Sequence, residues 1–547
     1  MPPSPGKPRR GLLRVLGVWE GAAVGIGVAI GAGIFRTPGY VAGFLPSAGM
    51  VLAAWTIGGI LVLGDSLILA ELATRMPRAG GWYVYIEKGW GRFPAFLYGW
   101  TYMLVVDPAS SAALVVVLGE YLASLLGLGP KPGVGLAIGT TLALFALALA
   151  GIRFGGRLQD ALTYTKLAAL VAIAVIALLL PRPAPPAGAG ADGIGAQHEG
   201  DGDRTPPPLS APAALGESAG PANAKPEDTT AGEPAATGVR AAAVGPDIDS
   251  VRQPEPAGAS RVELSGRPSE ANSVGSGKGE GGGTALVSIL GGLLALGLAL
   301  QGVLWTFEGY SNTTTLTEES VNPSRTLPRA LVAGALALGA TYLLVNGAYL
   351  HALGRDGLAA STLPAADLSA RLFGGAGTAA FLLLAIVTAL GSLNGAALSA
   401  PRVAYALARS GLAPEPLVQV TRLGTPVFAT LWFAVAWSLY AWFGSFEGLV
   451  SVSIFIGALA NVAVTATIFT HRRRDAGHRP EGVFLSPFYP WLPLAMLVLW
   501  SAFAAGVLYT LGRNVGYGLV ATALAAIVYA LGRPRRRAAA PGDEPAA

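Results

Sequence analysis

Apolar runs of about twenty residues recur along most of this chain, and nothing else in it restricts the fold so strongly. A helix of that length crosses about 30 Å of hydrocarbon, and only helices and closed barrels satisfy their own backbone hydrogen bonds in lipid. Composition agrees. Of the 547 residues, 52% are hydrophobic and 13% charged, and the mean hydropathy is +0.53. A soluble chain cannot cover that much apolar surface. The net charge of +5 does not point to nucleic acid, because the basic residues cluster in short segments between the runs. Cysteine is absent, which excludes disulfides and thiolate metal sites. The four histidines (His198, His351, His471 and His478) are too scattered for a metal-ligand spacing, and neither metal nor cofactor is expected.

The pattern predicts an all-α polytopic membrane protein of twelve spans, near 15–43, 47–72, 94–124, 132–152, 158–180, 285–316, 327–351, 376–408, 426–443, 446–470, 487–508 and 514–532. The basic start "MPPSPGKPRRGLLRVLG" resembles a signal peptide, but the apolar stretch runs on to about residue 44 without a small-residue cleavage site. It reads as a retained first span. With the N-terminus inside, the inner segments hold 23 lysines and arginines. The short outer loops hold four: Lys131, Arg355, Arg371 and Arg513. That bias predicts cytoplasmic termini. Residues 1–14 and 533–547 are then cytoplasmic tails and 471–486 a cytoplasmic loop. Residues 181–284, rich in Pro, Ala and Gly, cannot bury enough apolar surface to order themselves, and are expected to form a disordered insertion outside the membrane.

Two spans are interrupted. "GVAIGAGIFRTPG" places Gly31-Ala32-Gly33 about halfway across the first, although each glycine costs about 1 kcal/mol against alanine inside a helix. A break there frees N–H groups and a positive dipole end, which suit a carboxylate, and carbonyls, which suit an ammonium. A zwitterion fits both. The alternative is a small-residue packing face. In the sixth span, "LQGVLWTFEGYSNTTTLTEESVNP", the apolar run stops at Phe307 and Glu308-Gly309 follows at membrane depth. Paired interruptions at matching places in two halves are the sequence signature of a secondary transporter's site.

The stretches "GIGVAIGAGIFRTPG", "AELATRMPRAGGWYVYI", "RLQDALTYTKLAAL", "LWTFEGYSNTTTLTEESVNPSRTLPRAL" and "LGSLNGAALSAPRVAYALARSGLAP", in that order, resemble the amino acid–polyamine–organocation (APC) permeases, most closely the L-type amino acid transporter branch. The resemblance implies two inverted five-helix repeats, 15–180 and 285–470, with broken spans 1 and 6, and two C-terminal helices within 487–532. It implies substrate contacts from Ile30, Gly31, Ala32, Gly33 and Ile34 in span 1, and from Trp305, Thr306, Phe307, Glu308 and Gly309 in span 6. In this pattern the carboxylate meets the backbone at Gly31–Gly33, and the amino group meets carbonyls near Ile30, Trp305 and Phe307. Trp305 is the gate, and Gly309 leaves room for the substrate side chain. Two features depart from the family. Ala32 stands where serine is common. The cysteine through which vertebrate L-type members join a second subunit is missing, so no disulfide-linked accessory chain is expected.

The implied function is secondary active transport of amino acids across the plasma (inner) membrane by alternating access. The alternatives are a polyamine or organic-cation permease, and a receptor that binds without transporting. No P-loop and no clustered nucleophile suggests an ATP-driven pump or an enzyme. Glu308 reads either as a cap of the unwound helix or as a group for a cationic substrate or a proton. Asp65 and Asp107 lie inside spans and either pair with neighbours or line a cavity. Glu71 reads as an ion pair with Arg75 and Arg78, and Asn394 and Asn461 as interhelical hydrogen bonds. With the inner segments assigned as above, Lys166 is the one basic residue placed well inside a span. It occupies the family position where a lysine packs against the break of span 1, near where sodium-coupled relatives bind their ion. That implies sodium-independent proton symport or exchange, with Lys166 as the coupling group, though snorkelling to the cytoplasmic surface is the simpler alternative. Deleting residues 186–280 is expected to leave uptake intact in cells that display the variant at normal levels.

Overall fold

The computed structural model describes residues 12–181, 281–443, 446–475, 478 and 480–532. The chain divides into a unit of 1–183 with 276–547 and a second unit of 184–275, which lies outside the described residues. Both expected tails beyond residues 12 and 532, and nearly all of the expected insertion, fall outside them as well.

Apart from two isolated β-bridges, the regular structure described is helical. In chain order the helices are α1 (Val18–Ala29), α2 (Gly33–Phe44), α3 (Ala48–Arg75), α4 (Trp82–Trp90), α5 (Arg92–Thr101), α6 (Asp107–Leu126), α7 (Pro130–Leu149) and α8 (Ile152–Leu179). They continue as α9 (Gly281–Phe307), α10 (Pro323–Ala360), α11 (Pro364–Phe373), α12 (Gly377–Arg409), α13 (Val427–Phe443), α14 (Phe446–Arg474) and α15 (Trp491–Gly532). Among the described residues eight helices are long and apolar enough to cross a membrane, or nine with the bent pair α1–α2 counted once. The chain is therefore a multi-pass membrane protein. The expected spans 6, 9 and 12 are not in that count; α13 and Gly518–Leu531 are apolar but shorter.

Several boundaries differ from expectation. Helix α9 begins at Gly281, inside the expected insertion, and α8 begins at Ile152 instead of 158. Residues 491–532 are helical throughout, where two spans separated by a short turn were expected. Leu492 at the start of this run packs on Gly64 of α3, and Tyr529 near its end lies 5.1 Å from Phe93 and 5.0 Å from Phe96. Phe93 opens α5 just after Lys88, whose carbonyl accepts from Arg474. The neighbouring Arg472 stacks 4.6 Å from the Tyr489 ring. Both ends of the run thus lie at one end of the bundle. A straight helix of 42 residues would be about 63 Å long, so the run turns back on itself.

The end of the bundle that gathers the basic residues is tied by buried charge. Glu71 is fully buried. It accepts from Arg75 Nη2 at 2.8 Å, from Arg472 Nη2 at 2.7 Å, and from the amide and hydroxyl of Ser486 at 2.7 and 3.0 Å. Arg75 also pairs with Asp475 at 2.8 Å. The sequence named Arg75 and Arg78 as partners of Glu71; Arg472, 401 positions away, takes the second place. One carboxylate thereby joins α3, α14 and the segment leading into α15. Removing it leaves Arg472 without an ion-pair partner among the described residues and Arg75 with Asp475 alone. Glu71→Ala is expected to cost about 3 kcal/mol, read as a lower thermal transition of the detergent-purified protein.

Candidate functional site

The first span breaks because its glycines let it. Helix α1 ends at Ala29, α2 begins at Gly33, and their axes differ by 54°. The carbonyls at the end of α1 and the amides at the start of α2 lose their intrahelical partners. Side chains of neighbouring helices take up the freed carbonyls.

On one side α8 supplies those side chains. Gln159, Thr163 and Lys166 recur at helical spacing on its buried face. Gln159 Nε2 and Thr163 Oγ1 donate to the Ala23 carbonyl at 3.3 and 3.0 Å. Lys166 Nζ donates to the Gly27 carbonyl at 2.5 Å and the Ile30 carbonyl at 2.8 Å. Ser392 Oγ of α12 lies 3.0 Å from both of these carbonyls. The Thr388 carbonyl and Ser392 Oγ, each 3.5 Å from Nζ, complete the oxygen shell around the ammonium. Lys166 is fully buried and does not snorkel. It is also not the only basic side chain in the helices: Arg36 lies in α2, and Arg402, fully buried in α12, pairs with Glu319 at 2.9 Å. Neither was singled out in the sequence, although Arg36 lies seven residues from the end of its expected span and Arg402 six, against eight for Lys166.

On the other side the sixth span stops at Phe307. Gly309 turns the chain with φ +113°, and a 3-10 segment, Tyr310–Glu319, replaces the α-helix. Only glycine adopts this backbone without strain. A Cβ at Gly309 would also lie 2.8 Å from the Ala29 amide, so the two broken spans touch backbone to backbone here. The Tyr342 hydroxyl of α10 lies 2.9 Å from the Ala29 carbonyl and 3.0 Å from the Thr306 carbonyl, bridging the two breaks.

Between the breaks lies a cavity of about 200 Å³. Of the residues expected to meet substrate, Gly31, Ala32, Gly33, Trp305, Thr306, Glu308 and Gly309 line it. Ile30, Ile34 and Phe307 do not, and all three are fully buried. The Ile30 carbonyl faces Lys166 and Ser392; Phe307 packs against Trp55 and Tyr342, with ring centroids 6.2 and 4.7 Å away. Lys166 stands behind the break and outside the lining. The cavity continues to Trp82, Thr314 and Thr315. Gly80 and Gly81, with φ +111° and +51°, bring Trp82 against the 3-10 segment there, and the Gly80 amide donates to the Thr315 carbonyl at 3.2 Å.

Two carboxylates line the cavity. Glu308 is exposed within it, and its carboxylate makes no hydrogen bond or ion pair among the described residues. Asp107 accepts from Trp437 Nε1 at 2.9 Å and from the Tyr102 hydroxyl at 3.2 Å. Asp65 instead serves the framework. It accepts from the Tyr310 hydroxyl, with Thr465 and Trp500 beside it. Asn394 donates to Gln159 Oε1 at 2.8 Å and to the Gly155 carbonyl at 3.1 Å, between helices; Asn461 donates to Gly457 in its own helix. The sequence reading missed Ser392, Tyr342 and the Gln159–Thr163 pair. For the last a signal existed: polar side chains four and three residues apart, leading to Lys166 at helical spacing.

A multi-pass helical protein with a small, mostly apolar cavity carrying a few polar groups at the meeting of two broken helices has the architecture of a solute carrier. The chain belongs to the amino acid permease family, whose profile matches residues 16–206 and 265–531. It is 26% identical over 532 residues to the serine/threonine exchanger SteT of Bacillus subtilis (strain 168), with 96% of each chain covered. It is 24% identical over 527 residues to the human cystine/glutamate transporter, covering 95% of this chain and 85% of that one. With the human b(0,+)-type amino acid transporter 1 it shares 24% over 450 residues, covering 81% and 73%. These relatives are amino acid transporters and exchangers, not enzymes.

The glycines at the site differ in what they tolerate. A Cβ at Gly31 meets nothing closer than Ser392 Oγ at 3.7 Å, whereas one at Gly33 lies 3.2 Å from Thr306 Cγ2. We expect Gly31→Ala to fold normally and Gly309→Ala to lower the thermal transition sharply. Gly33→Leu should reach the membrane yet lose substrate binding. Size-exclusion profiles and ligand-induced thermal shifts of the three variants check this ordering.

Proposed function

We propose that this protein is a secondary active transporter that moves amino acids across the plasma membrane by alternating access, independently of sodium, as a proton symporter or an exchanger. The observation that carries this reading is the cavity bounded by both span breaks. The Gly33 and Ile34 amides, in the first turn of α2, have no intrahelical acceptor, and a carboxylate fits there. An α-ammonium would meet the lone pairs that Lys166, Ser392 and Tyr342 leave free on the carbonyls ending α1 and α9. Family membership supports the same reading, and with it twelve spans, two inverted five-helix repeats and cytoplasmic termini. Because the chain has no cysteine, any partner subunit would associate without a disulfide.

Sodium independence rests on Lys166. Its ammonium is held by the carbonyls of Gly27, Ile30 and Thr388 and by Ser392 Oγ, an all-oxygen shell between α1 and α12 that would equally suit a small cation. A tethered ammonium makes the same links with no ion to bind or release. In this reading Lys166 is either a proton carrier or a permanent tether.

A second reading, an organic-cation or polyamine permease, is favoured by the two carboxylates in the cavity. Uptake into proteoliposomes separates both from a receptor that binds without transporting. Wild-type uptake is expected to be the same in sodium and in choline buffers. Lys166→Ala should lose at least nine-tenths of net uptake while keeping its elution volume in detergent. Sodium-dependent uptake by the wild type, or a fully active alanine variant with an unchanged pH profile, would refute the role given to Lys166.

A further inference from the structure

We propose that the amino acid taken by this cavity carries a second positive charge, in its side chain, and that Asp107 and Glu308 receive it. The inference rests on the transporter reading and narrows its substrate class.

The cavity is charged on one sign only. Its lining includes Asp107 and Glu308 and no lysine, arginine or histidine. Tyr98 and Tyr102 lie within electrostatic reach of both carboxylates, so the two acids share one region of the wall. The buried cations nearby are committed elsewhere. Lys166 is bound to the α1 carbonyls, and Arg402 to Glu319. A carboxylate at membrane depth without a countercharge is costly and marks a functional site.

Asp107 is also aimed. Pro108 lacks an N–H, so the Leu104 carbonyl four residues earlier loses its α-helical donor. The chain answers with a π-turn, Tyr102–Val106. Neighbouring helices then supply donors to the loosened carbonyls: Trp432 Nε1 to Met103 at 3.2 Å, Tyr440 to Leu104 at 2.8 Å, and Ser453 to Val106 at 2.9 Å. π-turns of this kind cluster at functional sites. The side-chain partners of Asp107, Tyr102 and Trp437, are neutral donors that orient the carboxylate and leave its charge uncompensated. The Glu308 carboxylate, open to the cavity, has no hydrogen-bond or ion-pair partner among the described residues.

A neutral zwitterion satisfies the two half-helix ends and leaves both acids unpaired. A dibasic amino acid with a flexible side chain satisfies the ends and brings a cation to the acids. The charge-assisted hydrogen bonds so formed are stronger than neutral ones, which makes the difference a large one in affinity.

Lysine and norleucine differ only by the terminal ammonium, and cadaverine is lysine without its carboxylate. The experiment is uptake of labelled lysine by the full chain in proteoliposomes, with each of the three as unlabelled competitor. Lysine should compete at least tenfold better than norleucine and cadaverine. Asp107→Asn and Glu308→Gln should each reduce the lysine-over-norleucine preference at least tenfold, mainly through KM. Norleucine competing as well as lysine, or labelled leucine entering while lysine does not, overturns the inference and leaves the transporter reading standing. Cadaverine matching lysine, or no amino acid entering at all, overturns the transporter reading itself. A wild-type preference for lysine that survives both substitutions overturns the role of these two residues. If a variant does not fold, the lysine–norleucine–cadaverine comparison on the wild type still decides the substrate class.

Discussion

The carbonyls left open at the end of α1 are the constraint on which the site depends. A broken helix in a membrane is tolerable only if its freed groups find protein partners, because an unpaired peptide group in hydrocarbon costs several kcal/mol. Here Gly27 and Ile30 are answered by Lys166 and Ser392 and Ala29 by Tyr342, while Thr163 and Gln159 add donors to the Ala23 carbonyl inside α1. Three helices, α8, α10 and α12, are therefore tied to α1 by side chains directed at its backbone. The glycines of α1 are the other half of the arrangement: a Cβ at Gly27 would lie 1.8 Å from Gln159 Nε2, so the close approach of α8 depends on its absence.

The same segment is fixed at its entrance. The Val15 and Leu16 amides both donate to the Glu319 carbonyl, at 2.8 and 2.9 Å, and the Val321 amide donates to Leu16 at 2.8 Å. The side chain of Glu319 is meanwhile paired with Arg402 in the interior. The chain entering span 1 and the chain leaving span 6 thus form one hydrogen-bonded piece, carried against α12 by a buried ion pair. Movement of either broken span relative to α12 must carry the other with it or break that pair. A buried pair of this kind adds little net stability but is expensive to separate, so it defines which pieces move together more than how firmly the whole holds.

Much of this was legible in the sequence, for stated physical reasons. Gly31-Ala32-Gly33 and Glu308-Gly309 announce interrupted helices because glycine and a carboxylate are both unfavourable at mid-span. Lys166 announces itself as a charge in an apolar run. What stayed hidden depends on distances between remote segments. Ser392 and Tyr342 look ordinary in their helices, and only the packing of α12 and α10 on α1 gives them their roles. Arg472 reads as one of a basic cluster at a helix end, and nothing local reveals its bond to Glu71. Gly309 was read as space for a substrate side chain. In the structure it lines the cavity and also carries a positive φ against the Ala29 amide, a demand that no spacing rule expresses.

The cavity wall repeats one device three times. At α1–α2 glycines release the backbone, at Gly309 a left-handed turn does so, and at Tyr102–Val106 Pro108 does. In each case a side chain from another helix takes up a freed carbonyl: Lys166 at the first, Tyr342 at the second, Tyr440 at the third. A continuous α-helix presents only side chains to a cavity. A released one presents backbone dipoles, or redirects a side chain such as Asp107 that helical geometry would have sent elsewhere. Because each irregular turn is re-satisfied from a different neighbour, α8, α10 and α13, the polar face of the cavity is assembled by the packing of the whole bundle. It exists only when those helices are in place, so any rearrangement of them also rearranges the groups that hold the ligand.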